Sequence, residues 1–275
     1  MSETRHILGL SGGKDSAALA IYLKTSPKWS HIDAEYVFTD THKELPETYD
    51  FLDKLEAFLG KKIIRLNTDL GERGFDHWLQ LYGGYLPSPK MRWCTRKLKL
   101  KPFEDYVGEG NVVSYVGIRA DENREGYVST KPNIRAVFPF KEDGIVKSDV
   151  FRILDESGVG TPEYYKWRTR SGCYFCFFQR RSEWVGLKEH HPDLFEKAKA
   201  YEKIDESTGE RYTWIARESL SDLEKPERMA EIKANAEREL QRAKAEQPNR
   251  TLFEVLTSLD DELDADERAC LVCDL

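Results

Sequence analysis

Ser11-Gly12-Gly13-Lys14-Asp15-Ser16 concentrates more chemical capacity than any other stretch of this chain. It follows the apolar residues Ile7, Leu8 and Leu10, and it precedes Ala17 to Lys24, a run of high helical propensity. A helix starting there leaves its first N–H groups unpaired and aimed back into the loop. The two glycines let the backbone approach a ligand closely, Ser11 and Ser16 add hydroxyls, and Lys14 adds a cation. Together they form an anion cradle of phosphate size. The spacing is not Gly-x-x-x-x-Gly-Lys-Ser/Thr, so this is not the mononucleotide P-loop. The plainer alternative is a strand-to-helix turn whose serines only cap the helix.

The second reactive group is thiol. The chain has 5 cysteines: Cys94, the pair Cys173-x-x-Cys176 and the pair Cys270-x-x-Cys273. In a cytoplasmic chain, the expectation reached below, such pairs point to metal, cluster or redox chemistry before structural disulfides. Lys90, Arg92, Arg96, Lys97, Lys99 and Lys101 surround Cys94, and Arg170 precedes Cys173. Cations at such positions favour thiolate and can grip phosphates, although each is equally an ordinary surface ion pair or a solvated helix face. Trp93, Tyr174, Phe175, Phe177 and Phe178 either stack on bases or shelter a cofactor, the latter being the commoner use.

These groups need positioning elements. Ala34 to Thr41 reads as a strand that delivers Asp40 to the ligand edge of a parallel sheet. Pro46 opens a helix over Glu47–Leu59 with Gly60 as its stop, and Lys62 to Asn67 reads as the next strand. A loop-rich excursion over 69–91 holds one short helix near Phe75–Tyr82. Residues 92–95 then open a helix towards Tyr106, which Pro102 should end or kink. Val112 to Ile118 forms a strand that presents Arg119 and, beyond it, Arg124, and Val137 to Phe140 is a short further element. Ser148 is the expected N-cap of a helix over Asp149–Glu156. Helices over Arg181–Lys203 and Lys225–Glu246 follow. The alternation of strand and helix predicts an α/β doubly wound, mostly parallel sheet with a helical C-terminal appendage. The expected division is 1–160 for the nucleotide-binding domain, 161–253 for the cysteine-containing helical region and 254–275 for an acidic tail.

With 33% charged and 40% hydrophobic residues, the composition is that of a soluble globular protein. No apolar run has the length of a membrane span and no leader-like core is visible, so the expectation is a cytoplasmic protein with no membrane partner. The net charge of -7 argues against a generic nucleic-acid binder, whereas the local run Lys90 to Lys101 suits a polyanion. The acidic tail is complementary to that run and is expected to fold back on it.

The loop matches every position of the Ser-Gly-Gly-Lys-Asp-Ser pyrophosphate loop of the PP-loop (N-type) ATP pyrophosphatases, whose fold is adenine nucleotide α-hydrolase-like. Phe38-Thr-Asp-Thr41 with Leu45 to Phe51, Gly117-Ile-Arg119 with Arg124, and Gly172-Cys-x-x-Cys176 resemble the sulfonucleotide (PAPS/adenylyl sulfate) reductase superfamily over residues 6–200. In cluster-bearing members a cysteine pair stands far upstream of Cys-x-x-Cys; here Trp93 replaces the first of that pair. The resemblance therefore implies Cys94, Cys173 and Cys176 as ligands of a [4Fe–4S] cluster, with an open fourth iron or with Cys270 or Cys273 as its ligand. A tetrahedral Zn2+ on Cys173, Cys176, Cys270 and Cys273 is the alternative, and uncomplexed thiols are another.

Those reductases end in Glu-Cys-Gly-Leu-His, whereas this tail reads Ala269-Cys-Leu-Val-Cys-Asp-Leu275. With the complete ATP-type loop, that departure looks more like the Dnd- and Ssp-type ATP pyrophosphatases of DNA phosphorothioation. The implied activity is adenylation of an acceptor, expected to be the DNA phosphate backbone, followed by sulfur insertion. The implied ATP site is Ser11, Gly12, Gly13, Lys14, Asp15, Ser16 and Asp40, with Asp15 or Asp40 helping to hold Mg2+. Lys14, Arg119 and Arg124 would stabilise charge on the phosphates, and Asp15 stands with them as catalytic. A sulfur donor such as a cysteine desulfurase and a homodimeric assembly complete the expectation. A PAPS reductase releasing sulfite and a tRNA-thiolating PP-loop enzyme are the alternatives.

Overall fold

The structure, a computed structural model, describes residues 4–67, 74–123, 131–204 and 211–246. Arg124, Cys270, Cys273 and the acidic tail lie outside the described residues.

β1 (Arg5–Leu10), β2 (Glu35–Thr39), β3 (Ile63–Leu66), β4 (Val112–Tyr115) and β5 (Ile134–Val137) form one parallel sheet in the order β3-β2-β1-β4-β5. Alternation along the strands divides the core. Leu8, Leu10, Tyr36 and Phe38 pack on one face with α1 (Lys14–Thr25), α2 (Pro46–Leu59) and α6 (Lys147–Glu156). Ile7 and Val37 point the other way, onto Phe103 and Val107 of α4 (Lys101–Val107). Helices therefore cover both faces, which the sequence pattern predicted. The strand order reverses between β1 and β4, and such a reversal opens a crevice at the C-terminal strand ends. The residues after β1 and after β4 stand there.

A second apolar cluster joins α3 (Phe75–Leu81) to the C-terminal helices through Phe75, Trp93, Phe175, Trp184 and Trp214. No helix among the described residues is long and apolar enough to cross a membrane.

Several boundaries differ from the sequence reading, each for a local reason. The β4 ladder ends with Tyr115 opposite Leu8 of β1 and Val137 of β5, and a last bond from the Val116 N–H to Val137 O at 3.0 Å precedes the departure of the chain from the sheet. Residues 137–140 contribute the last residue of β5 and the start of a short helix, α5 (Pro139–Glu142). Helix α6 is capped at Val146 and not at Ser148, because Asp149 Oδ2 accepts the Val146 N–H at 3.0 Å. The region 181–203 is broken at Pro192 into α7 (Arg181–His190) and α8 (Pro192–Lys199), since proline cannot donate within a helix. An antiparallel pair of β6 (Lys203–Ile204) and β7 (Arg211–Tyr212), then α9 (Leu220–Leu223) and α10 (Pro226–Glu246), complete the described residues.

Pro102 has a larger consequence. Thr95–Leu100 is wound as a π-helix running into α4, with the Lys101 N–H bonded to Arg96 O. Pro102 has no N–H for Leu98 O, its partner in the α-helical register, and Asn67 Nδ2 donates to that carbonyl at 2.9 Å instead. The same amide donates to Asp40 O at 2.9 Å. Asn67, held at φ 67, thereby ties the end of β2 to the helix that begins beside Cys94.

Candidate functional site

The loop after β1 is held from within and from the C-terminal half. Ser16 Oγ accepts the Ser11 N–H at 3.1 Å and donates to Gly13 O at 3.3 Å, which closes the turn. Gly12 sits at φ 74, where a side chain would also stand 2.5 Å from Thr48 Cγ2 of α2. Tyr164 OH donates to Gly12 O at 2.8 Å, the Lys14 N–H donates to Tyr165 OH at 3.2 Å, and Ser171 Oγ lies 3.5 Å from Ser11 Oγ. The segment that leads to Cys173 is thus packed directly on the phosphate-type loop. None of Tyr164, Tyr165 and Ser171 stood out as a site residue by sequence. Their only signal was membership of the aromatic run before Gly172-Cys173.

Three charges are buried beside the loop. Lys14 Nζ pairs with Asp15 Oδ2 at 2.8 Å, and Arg119 Nη1 reaches Asp15 Oδ1 at 3.0 Å. Arg119 also bonds Asp121 at 3.0 Å and Glu122 at 2.9 Å. Burial opposes the charge of Lys14, but the neighbouring Asp15 carboxylate outweighs it and holds the ammonium above its ordinary value. Burial likewise penalises ionised Asp15, and Lys14 and Arg119 overcome that and depress its carboxyl. The resting loop therefore keeps a lysine and an arginine ionised out of solvent, with Asp15 as their shared counter-ion. Each Asp15 oxygen is thus paired with one buried cation. Asp40 is engaged too: Oδ1 accepts from His42 N at 2.7 Å and from Tyr49 OH at 2.9 Å.

Thr41 links this edge to the cysteines. Its hydroxyl donates to Glu44 Oε1 at 2.8 Å and lies 3.1 Å from Cys173 Sγ. The other Glu44 oxygen and Thr48 Oγ1 are buried without hydrogen-bond partners, which marks the strip between loop and thiol as polar and incompletely satisfied. Burial, with the Glu44 carboxylate nearby, pushes the Cys173 thiol well above its ordinary value. Arg168, almost wholly buried, donates to Gly172 O at 3.1 Å and Cys173 O at 3.0 Å and so fixes the cysteine turn. Nothing in the sequence distinguishes Arg168 from exposed Lys166 or half-buried Arg170.

Cys94, Cys173 and Cys176 are unbridged and line one cavity together with Thr41, Lys99 and Phe175. Sequence separation gave no guarantee of that convergence. Among the described residues no three His, Cys, Asp or Glu side chains stand close enough to hold a single metal ion. Trp93, Tyr174 and Phe175 are buried, so none of them presents a face for a base to stack on, and Phe175 lines the cavity. Phe177 and Phe178 are half-buried, with Arg92 and Arg170 set 5.0 and 5.9 Å from the Phe178 ring.

The phosphoadenosine phosphosulfate reductase domain profile matches residues 5–174. An uncharacterized protein of Methanocaldococcus jannaschii is 30% identical over 70% of this chain and 40% of its own length. A tRNA-specific 2-thiouridylase of Levilactobacillus brevis is 27% identical over 70% of this chain and 55% of its own length. The chain thus spans about half the length of these curated relatives. Among solved structures, the phosphoadenylyl-sulfate (PAPS) reductase of Candida auris in its phosphate complex is similar with a TM-score of 0.46 and 16% identity. That likeness covers 62% of this chain and 82% of the reductase.

Proposed function

The chain belongs to the phosphoadenosine phosphosulfate reductase domain family, an enzymatic family of PP-loop fold, and from that premise we propose that it is an ATP pyrophosphatase that adenylates a nucleic acid for sulfur insertion. The observation that carries the proposal is the contact between the complete Ser11–Ser16 loop and the cysteine turn, made by Tyr164, Tyr165 and Ser171. An anion cradle and a thiol-lined cavity joined in this way suit activation by ATP followed by sulfur transfer at one place.

ATP places its β- and γ-phosphates against the loop N–H groups, Ser11 and Ser16, with Mg2+ arriving on the nucleotide. An acceptor oxygen attacks the α-phosphorus, the bond to the β-phosphate oxygen breaks, and pyrophosphate leaves. Lys14 and Arg119 supply fixed positive charge for the developing anion, since both stay ionised in the buried site. Arg124 is proposed to join them. Sulfur from a persulfide donor, such as a cysteine desulfurase, then attacks the activated acceptor. AMP departs with the acceptor oxygen, and a second thiol cleaves the persulfide bond, closing a disulfide with the donor.

Cys94, Cys173 and Cys176 line one apolar cavity, and once deprotonated on binding iron they would be the ligands of a [4Fe–4S] cluster. When bound, the cluster supplies Lewis-acidic iron for sulfur.

DNA, as in phosphorothioation, is the acceptor we propose, and identity to the tRNA 2-thiouridylase favours tRNA as the second reading. The test is pyrophosphate release from ATP with single-stranded DNA or tRNA added, followed by detection of sulfur in the product. Lys14→Ala and Ser11→Ala should each slow release about 10- to 100-fold, because a lost charge-assisted bond costs about 1.5–3 kcal/mol. Release by Lys14→Ala at the wild-type rate would remove the loop from the reaction. Sulfite formation from PAPS without ATP consumption would replace this reading with a reductase.

A further inference from the structure

The sequence between Asp76 and Glu104 contains no acidic residue, yet it carries Lys90, Arg92, Arg96, Lys97, Lys99 and Lys101 in a chain of net charge -7. The same stretch supplies most of the large exposed apolar side chains among the described residues: Leu81 at 63%, Tyr82 at 36%, Tyr85 at 43% and Met91 at 40% exposure. Aromatic and cationic groups without interleaved carboxylates form the surface on which single-stranded nucleic acid stacks its bases and rests its phosphates.

The surface is built and held. Tyr82 stacks on buried Trp93 with ring centres 5.2 Å apart and planes 14° from parallel. Trp93 Nε1 donates to Tyr85 O at 3.0 Å, which fixes the backbone that presents the second tyrosine. Ser88 and Met91 exchange backbone hydrogen bonds at 3.2 and 3.0 Å across a tight turn that has Pro89 and exposed Lys90 at its tip. Behind Trp93 the rings continue inward: Phe75 lies 5.0 Å from Trp93 and 4.3 Å from Phe175, and both phenylalanines line the cysteine cavity. Lys99 lines that cavity as well. Contacting rings, Tyr82 on Trp93, Trp93 on Phe75 and Phe75 on Phe175, therefore link the open surface to the wall of the thiol cavity.

We propose that residues 81–97 are a docking platform for single-stranded nucleic acid, with bases stacked on Tyr82 and Tyr85 and phosphates held by Lys90 and Arg96, so that the strand leads into the cysteine cavity. The choice of acceptor class rests on the sulfur-transfer reading above; the surface itself is independent of ATP. A duplex is a poor occupant, because its base faces are already stacked and cannot reach the tyrosines. A protein partner or a second copy of the chain would use the apolar residues but gains nothing specific from the exposed Lys90 and Arg96.

The test is fluorescence anisotropy, without ATP, of a labelled mixed-sequence oligonucleotide of about 20 nucleotides as DNA, as RNA and as duplex DNA, across a salt series. The single strand should bind at least tenfold more tightly than the duplex, and the better of the two single-stranded arms identifies the sugar. Tyr82→Ala with Tyr85→Ala should weaken binding about tenfold or more, while Tyr82→Phe with Tyr85→Phe restores it. Lys90→Glu with Arg96→Glu, confined to exposed side chains, should lower the slope of log affinity on log salt by about 1.4. Equal affinity for duplex and single strand, or unchanged binding in both variants, overturns the platform. So does loss of a dimer in the tyrosine variant, by sedimentation, with oligonucleotide affinity intact. A chain that releases pyrophosphate yet binds no oligonucleotide overturns the platform alone. One that binds the oligonucleotide but leaves ATP intact overturns only the ATP reading.

Discussion

Gly13→Ala tests whether the cysteine turn is seated on the phosphate loop. Gly13 has φ −105, which alanine adopts freely, so the perturbation is steric and not conformational. The added Cβ would stand 2.6 Å from Ser171 Oγ, 3.0 Å from Ser171 Cβ and 3.3 Å from Ser11 Oγ. Ordinary contact begins near 3.4 Å, and both partners are buried, so something must move. Overpacking of this kind costs about 1–3 kcal/mol. Stiffening the unfolded chain returns about 0.4–1 kcal/mol, which leaves a net loss of about 1–2 kcal/mol. For a chain of this size that corresponds to a fall in Tm of about 4 °C. Ser171→Gly removes both offending atoms at its own cost of about 0.5–1 kcal/mol. The double variant should then be more stable than the sum of the singles by about 1–2 kcal/mol, read as a coupling energy from urea unfolding of all four proteins. Additivity within about 0.5 kcal/mol, or a Gly13→Ala protein more stable than the parent, would refute the contact and with it the joining of the two halves of the site.

Asn67→Ala strips Asp40 O and Leu98 O of their shared donor and places alanine at positive φ. It should cost about 2–4 kcal/mol in urea unfolding, with Asn67→Gly recovering about 1 kcal/mol of it, and equal losses for the two would contradict the strain argument. The Glu35 carboxyl is depressed by hydrogen bonding to Arg5, against partial burial, with Tyr106 assisting. A depressed acid stabilises fully above its unfolded pKa and loses that contribution as pH falls through the folded value. Glu35→Gln, at a partly exposed pair, should therefore cost about 1 kcal/mol at pH 7 and progressively less below about pH 4; a difference independent of pH would contradict the ion pair. Purified without oxygen, the protein should be brown and Cys94→Ser should lose iron. Full iron retention in that variant, or one zinc and no iron per chain in the parent, would remove Cys94 from the ligand set.

The sheet, its parallel sense and the loop at its switch point were legible in the sequence because they rest on local chemistry. Apolar strands of Ile7 and Val37 type, a glycine pair before a helix, and Pro46 and Gly60 at the ends of α2 each state their preference within a few residues. The six-residue loop carried its own meaning for the same reason, since its donors are its own backbone and side chains. What joins the loop to the cysteines was not legible. Tyr164, Ser171 and Arg168 act across more than a hundred residues or from burial alone, and Asn67 answers a carbonyl that Pro102 leaves without its helical partner far along the chain. Sequence could show that the helix around Pro102 must be disturbed; only the packing of β3 against that helix decided which amide repairs it. The cysteines were countable from the start, but their meeting in one cavity depends on the C-terminal half folding over the sheet edge, and long-range closure of that kind leaves no periodic mark on the chain.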